Sequence, residues 1–458
     1  MIARGRPGWL AAFPLLLAVV CAGLAVSPEA EASLARRTRS SVEVSGPVEG
    51  GAGQATRAAQ DLAALGYIES EFFFGGTATA YTGARTPDGI WKARPAASAD
   101  FRSRMIVRRP QDPARFSGTV VVEWLNNTTG QDRDASWGAG ADEILREGHA
   151  WVGVSAQQPG VRAMTAADPQ RYGTLVHPGA AFSLDVFTQG ARALTRHSGA
   201  APLAGLEAEH LIAIGQSQSA SYLISYVNGV QPLVEVFDGF LLHTPAQAGR
   251  IRTDLEQPTL VFVSESELAG FGYASFRQPD SHSVRTWEVA GTAHADGKLL
   301  NESGYAAGCS VPVNEGPHRQ VLRAALHQLV AWTATGAAPP KAPRVELVTE
   351  SGKRRRVVIE RDEFGNAVGG IRTPLVDVPV ATLSGEPALG GQPFCRLFGS
   401  TTPFDAATLA RLYPDHDSYV AKFTASAEAA VDAGFILRPE ADDMIATAQQ
   451  SAIGTGVA

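Results

Sequence analysis

Two kinds of hydrophobic pattern alternate along the chain from about residue 118. Short, nearly continuous apolar runs occur at 120–125, 150–154, 211–214, 236–242 and 259–263, and 284–289 reads as a further strand. They are too short for helices and lack a polar face, which predicts strands buried on both sides. Between them lie stretches with apolar residues every three or four positions. These are 135–147, closed by Gly148; 181–194, with Phe182, Val186, Phe187 and Ala191 on one face; and 219–227, stopped by Gly229. A longer one, 317–335, has Pro317 in its first turn and Gly336 just past its end, the signature of a well-delimited helix. Strands alternating with helices predict a mostly parallel sheet with helices on both faces, the α/β class. Such sheets place ligands at the carboxyl ends of their strands, so reactive residues are expected just after strands.

The pattern is weaker outside this region. Residues 72–110 mix alternating apolar positions with turn signals, and 103–108 reads as an edge strand ending at Pro110. Residues 33–60 are small and polar and read as a flexible tail leading into a first strand. Gly50, Gly51 and Gly53 follow no buried strand, so they are read as flexible rather than as a phosphate loop. Beyond 336, strand-like pieces occur at 345–348, 356–359 and 376–381. An amphipathic helix at 417–434 places Val420, Phe423, Ala427 and Val431 on one face. The organisation expected is a signal segment (1–32), a flexible tail (33–60), a sheet core (61–336) and a C-terminal extension (337–458) packed on that core or forming its lid.

The first residues follow a different logic. Arg4 and Arg6 precede an apolar run from Trp9 to Val26, and Ala30-Glu31-Ala32 follows as an A-x-A site. That order predicts a secretory signal peptide. A membrane anchor is the competing reading, set against Pro14 and Gly23 inside the run and the lack of a second apolar span. A lipoprotein signal at Cys21 would want a small residue where Val20 stands. With Cys21 removed, Cys309 and Cys395 remain, and an even pair in an exported chain is a disulfide candidate. The expected compartment is periplasmic or extracellular, with no stable membrane span after cleavage.

Composition narrows the class. Hydrophobic residues make up 45% and charged residues 19%, which excludes a disordered or coiled-coil chain. A net charge of −7 with no Lys/Arg block argues against nucleic acid as a partner.

The candidate chemistry sits where the strand pattern puts it. Ser217 lies in Gly215-Gln216-Ser217-Gln218-Ser219, between the buried run 211–214 and a helix. This is the context of a nucleophile elbow, where small residues two before and two after the serine allow a very tight turn. A serine needs a base oriented by a carboxylate. His294 follows the last sheet strand; His243, after an apolar run, and His282, before its strand, are the weaker rivals. The acid is expected after the preceding strand, where Glu265 and Glu267 compete, with Glu267 at the customary distance past the strand end. An oxyanion hole needs two backbone N–H groups. One is expected from Gln218, the other from the loop after 120–125, from Asn127 or Asn126. No metal or organic cofactor is required by this set. Arg372 could bind a substrate carboxylate, although such an arginine is more often a structural ion pair.

With these residues, the chain resembles the α/β-hydrolase superfamily. More narrowly, it resembles the bacterial and fungal "alpha/beta hydrolase domain" proteins, through an elbow of the form G-x-S-Q-S-A. The matching segments are VVVEWLN, RYGTLVHPG, IAIGQSQSA, DGFLLH, EVAGTAHAD, GNAVGGIR, VDVPVA and FCRLFGS, from about residue 100 to about 430. The resemblance implies the α/β-hydrolase fold and serine-based hydrolysis. The family usually carries Ser-Glu-Thr-Asp after the acid-bearing strand. Here Ser264-Glu265-Ser266-Glu267 keeps a carboxylate at both positions, so both stay candidates. The connection from 242 to 259 leaves no room for a large lid. The expected activity is cleavage of a small-molecule carboxylic ester or lactone through an acyl-enzyme. A peptidase or amidase with the same residues, and a binding protein on an inactive hydrolase scaffold, are the alternatives. Oligomeric state is left open.

Overall fold

The computed structural model describes residues 42–50, 59–247, 249–298, 308–350, 356–387 and 393–455, so the expected signal segment, Cys21, Gly51 and Gly53 lie outside the described residues. Its frame is a sheet of ten strands: β1 (Val42–Ser45), β2 (Tyr67–Thr82), β3 (Arg94–Pro110), β4 (Thr119–Trp124), β5 (Ala150–Val154), β6 (His197–Gly199), β7 (His210–Gln216), β8 (Gly239–His243), β9 (Thr259–Ser264) and β10 (Val284–Val289). They lie in the order β10-β9-β8-β7-β4-β5-β3-β2-β1-β6. From β5 to β10 every pairing is parallel, while β2 and β3 form a long antiparallel hairpin.

Burial on both faces explains why these strands were continuous apolar runs. On β4, Val120, Val122 and Trp124 enter one core and Val121 the other, and on β7 Leu211 and Ala213 alternate in the same way with Ile212 and Ile214. The period of two in side-chain direction means each face needs its own cover. One face is covered by the helix Ser183–Thr195 through Val186, Phe187 and Ala191. The other is covered by α1 (Ala135–Arg146) and α2 (His318–Thr335) through Ile144, Leu322, Leu326 and Leu329.

Three expectations need correction. The segment 103–108 is not an edge strand, because β3 pairs with β2 along its length and with β5 through Met105–Arg108. Its charges are buried and paired: Arg108 lies over both Trp137 and Trp151, at 4.4 Å from each ring, and bonds Glu69 and Asp134. The segment 33–60, read as a flexible tail, supplies β1, which pairs with β2 and β6. The strand expected at 376–381 is instead a helical turn, Pro374–Asp377, followed by a strand at Ala381–Ser384. A helix at Gln158–Ala167, with Pro159 in its first turn, was not anticipated.

The C-terminal region packs on the same sheet. Its helices α3 (His416–Asp432) and α4 (Arg438–Gln449) bring Tyr419, Phe423, Ala427 and Met444 into the core that α1 and α2 cover. Ile371 bridges to Val289 beside β10, and Arg372 is tied up in an ion pair with Asp377 at 2.6 Å, so it takes the structural role. Cys309 and Cys395 form a disulfide that links this region to the loop after β10. It closes a separation of 86 residues. The chain-entropy account gives a loop of that size at most ~4.5 kcal/mol. Because an unfolded chain that keeps residual structure loses less entropy on cross-linking than that figure assumes, replacing both cysteines by serine is expected to cost about 2–4 kcal/mol, read from urea denaturation of otherwise folded protein. A change below about 1 kcal/mol would contradict a restraining role for the bridge.

Candidate active site

The residues picked out from the sequence meet at the carboxyl ends of β7, β9 and β10. Ser217 follows β7 directly, with φ 62° and ψ −119°, and the helix Gln218–Ser225 starts at the next residue. This backbone region is costly for a residue with a Cβ and persists only when its surroundings enforce it. Here the Ser217 N–H donates to the His243 carbonyl at 2.9 Å, and the Ser217 carbonyl accepts from Ser221 and Ala246. A Cβ added at Gly215 would stand 3.0 Å from the backbone and Cβ of Ser219, tighter than an ordinary contact, so the glycine lets the turn close without displacing the helix start.

His294 Nε2 lies 2.8 Å from Ser217 Oγ, and its Nδ1 lies 2.6 Å from Glu267 Oε1. A buried carboxylate can only accept, so Nδ1 carries the proton and Nε2 is left bare toward the serine hydroxyl. Glu267 is fixed by local chemistry. It is the third residue of the short helix Glu265–Ala269, and its second oxygen accepts from the Ser264 N–H and hydroxyl at 2.8 and 2.6 Å in a capping box. Ser217, His294 and Glu267 are 8%, 3% and 0% exposed, which leaves the serine as the part of this chain nearest solvent. The Phe271 ring stands 5.2 Å from the His294 imidazole.

Glu265 faces elsewhere. Its carboxylate accepts from Gly291 N–H at 2.6 Å and Gly385 N–H at 3.0 Å and pairs with Arg361 at 2.9 Å. Burial raises its pKa, and Arg361 opposes the rise. It therefore clasps the loop that carries His294 to the C-terminal region. Ser266 works beside it, accepting from His294 N–H and donating to the Gly385 carbonyl.

The two asparagines also separate. The Asn126 N–H is spent on the Arg133 carbonyl, and its side chain donates to the Gln216 carbonyl at 2.9 Å and Oε1 at 3.3 Å. Among the described residues, the backbone N–H groups of Asn127 and Gln218 have no acceptor, while the Asn127 side chain is held by Asp132 at 3.3 Å.

Sequence reasoning missed Gln216, which joins Asn126 to the His294 carbonyl at 3.2 Å, and Phe271, Ser266, Arg361 and Gly385. Gln216 lay inside the elbow motif and could have been found there. Arg361 and Gly385 come from a distant part of the chain and carry no local signal. His282 is exposed, and His243 is buried away from the serine hydroxyl but within reach of its backbone. Away from this site, Glu143, Glu147 and His327 bring potential metal ligands within 4.8 Å of one another. However, Glu143 already bonds His327 at 2.8 Å and Arg146 at 3.1 Å, so the cluster is an ion-pair link between α1 and α2. No described helix is long and apolar enough to cross a membrane.

The strand order and the elbow are those of the α/β-hydrolase fold. The model of the alpha/beta hydrolase domain family matches residues 44–446, and the chain belongs to that family. A comparison with curated sequences gave no match. Among solved structures, an α/β serine hydrolase without lid from Xanthomonas campestris is 14% identical, with 49% of this chain and 91% of that chain covered and a TM-score of 0.29. Fungal esterases from Rhizomucor miehei are 13% identical over 68% of this chain and 99% of that chain, TM-score 0.30. The esterase Est22 is 12% identical over 59% and 81%, TM-score 0.33. Membership of the family makes this protein a hydrolase of small molecules.

The clasp makes a prediction. Glu265→Gln exchanges a buried carboxylate that accepts two backbone N–H groups for an amide and weakens the hold on Arg361, whose remaining carboxylate partner among the described residues is Glu386 at 3.6 Å, so it is expected to destabilise the fold by about 3 kcal/mol in urea denaturation. A variant as stable as the parent would show that Glu265 does not hold the loop.

Proposed function

We propose that the protein is an exported serine hydrolase that cleaves a carboxylic ester or lactone through an acyl-enzyme. The observation that carries this reading is the unbroken hydrogen-bond chain Ser217 Oγ, His294 Nε2, His294 Nδ1, Glu267 Oε1, at 2.8 and 2.6 Å. His294, bare at Nε2, takes the serine proton as Oγ attacks the substrate carbonyl. Glu267 holds the imidazole in that tautomer and stabilises the imidazolium that forms. The unengaged N–H groups of Gln218 and Asn127 donate to the oxyanion, aided by the N-terminus of the helix behind Ser217. His294 then protonates the leaving alkoxide, and water, deprotonated by the same imidazole, releases the acid and restores Ser217. Phe271 beside His294 offers an apolar wall for the substrate. Export is supported by the basic–apolar–small order of the first residues and by the Cys309–Cys395 bridge.

A fluorophosphonate is expected to label Ser217 and no other residue, and Ser217→Ala is expected to abolish labelling with little change in thermal stability. With one activated ester at neutral pH, Glu267→Gln is expected to lower kcat by ~10⁴, by analogy with a serine-protease triad. Glu265→Gln, if folded, is expected to lower it only ~10- to 100-fold, as a residue acting through the loop. Labelling that survives Ser217→Ala, or a larger kcat loss for Glu265→Gln, would overturn the assignment. A panel of matched esters and anilides separates the ester reading, in which the anilides are inert, from an amidase.

A further inference from the structure

Two histidines with no part in the proposed chemistry meet behind the site. His243 ends β8 and His318 opens α2, and both are buried. Their Nε2 atoms lie 2.6 Å apart, and Phe262 packs against both rings, at 5.7 and 4.9 Å between centroids. At the far end of the pair, His318 Nδ1 lies 3.0 Å from the carbonyl of Ala293, the residue before His294. At the near end, His243 Nδ1 faces the Ser136 hydroxyl at 3.4 Å.

The proton positions in this row follow from its last acceptor. A carbonyl oxygen can only accept, so His318 carries its proton on Nδ1. In a neutral ring its Nε2 is then bare and accepts from His243 Nε2–H. That leaves His243 Nδ1 bare, to accept from Ser136. Burial, first of all, holds both imidazoles below the ordinary histidine range. The charges that face the pair divide: Arg319 and His294 disfavour protonation, and Asp296 and Glu267 favour it on His318. Arg319 and Asp296 also pair with each other at 3.2 Å, and His318 sits at the positive end of the 18-residue helix α2.

The same residue that starts this row also grips the nucleophile. The His243 carbonyl accepts the Ser217 N–H at 2.9 Å. The loop bearing His294 is otherwise tied by Glu265 to Gly291, by Ser266 to the His294 N–H and by Gln216 to the His294 carbonyl. Among the described residues of that stretch, Ala293 is the one whose carbonyl is held by a side chain from α2.

We propose that His243 and His318 form a hydrogen-bonded strut that fixes the backbone of Ala293 and His294 relative to Ser217, so that both are positioning residues for the hydrolysis. This inference rests on Ser217, His294 and Glu267 acting as proposed above. Its magnitude follows from geometry: displacing a reacting group by about 1 Å costs on the order of 100-fold in rate, without weakening substrate binding by a similar factor.

The test uses the full mature chain, with p-nitrophenyl acetate as substrate and fluorophosphonate labelling as a second readout. His318→Leu and His243→Leu are expected to lower kcat by ~30- to 100-fold with KM changed less than ~2-fold, and to slow labelling in parallel. His318→Asn, whose amide places a donor near the position of Nδ1, is expected to recover to within ~5-fold of the parent. His318→Gln, whose amide sits at the Nε2 position, is expected to stay near the leucine variant. Folding is checked by circular dichroism. A folded His318→Leu with kcat within threefold of the parent, or a loss expressed in KM, overturns the strut. If the leucine variants do not fold, the Asn and Gln variants decide: Asn faster than Gln supports it, and equal rates overturn it. A parent protein that is not labelled at Ser217 would instead overturn the reading of the site on which the strut rests.

Discussion

The arrangement around Ser217 depends on one costly backbone conformation. A serine at φ 62° can be held only if the strand before it, the helix after it and the neighbouring strand all close on it. Gly215 allows the close approach, the His243 carbonyl captures the amide, and the helix start captures the carbonyl. Once the serine is fixed at the end of β7, its neighbours in the sheet define what can reach it. The loop after β4, on one side, brings Asn126 and Asn127. On the other side β8 supplies the brace, and β9 and β10 bring a carboxylate and an imidazole. The sheet order distributes these parts among strand ends that are far apart in sequence, and parallel pairing is what puts all those ends on one side.

The neighbouring glutamates show how a small difference in position separates two roles. Two residues along an α-helix rotate a side chain by about 200°, so Glu265 and Glu267 cannot share a target. Glu267 turns back over the helix start, where the capping box holds one oxygen and frees the other for His294. Glu265 turns the opposite way, into two glycine amides and a guanidinium. Both are fully buried, and each is fully engaged, which is why neither is a spare.

The parallel half of the sheet and its covering helices were legible in the sequence because burial on both faces writes itself as short apolar runs between helical patterns. The elbow was legible for a related reason, as its small residues are demanded locally. The two-stranded hairpin was harder. Arg104 and Arg108 on β3 look like solvent-facing charges, yet their partners Glu69, Glu71, Asp132 and Asp134 and the indoles of Trp137 and Trp151 come from other segments. Periodicity cannot register a charge that is buried by pairing at a distance. The same limit hid Arg361 and Gly385, and it left Asn126 and Asn127 level until their hydrogen-bond partners were known. Glu267 was preferred by its distance from the strand end, and it is the glutamate that bonds His294, while the contacts of Glu265 could not be read without the C-terminal region.

That clasp bears on how divisible the chain is. The pattern ends convincingly at Gly336, where the last covering helix stops, and a minimal enzyme would be cut there. Such a cut would strip Glu265 of Arg361 and of the Gly385 amide, and the Trp287 indole of its acceptor at Pro340. A carboxylate would be stranded beside the loop that carries His294. What reads as an appendage therefore completes the support of that loop in this chain: a chimera that exchanged its last third would have to carry the partners of Glu265 across together.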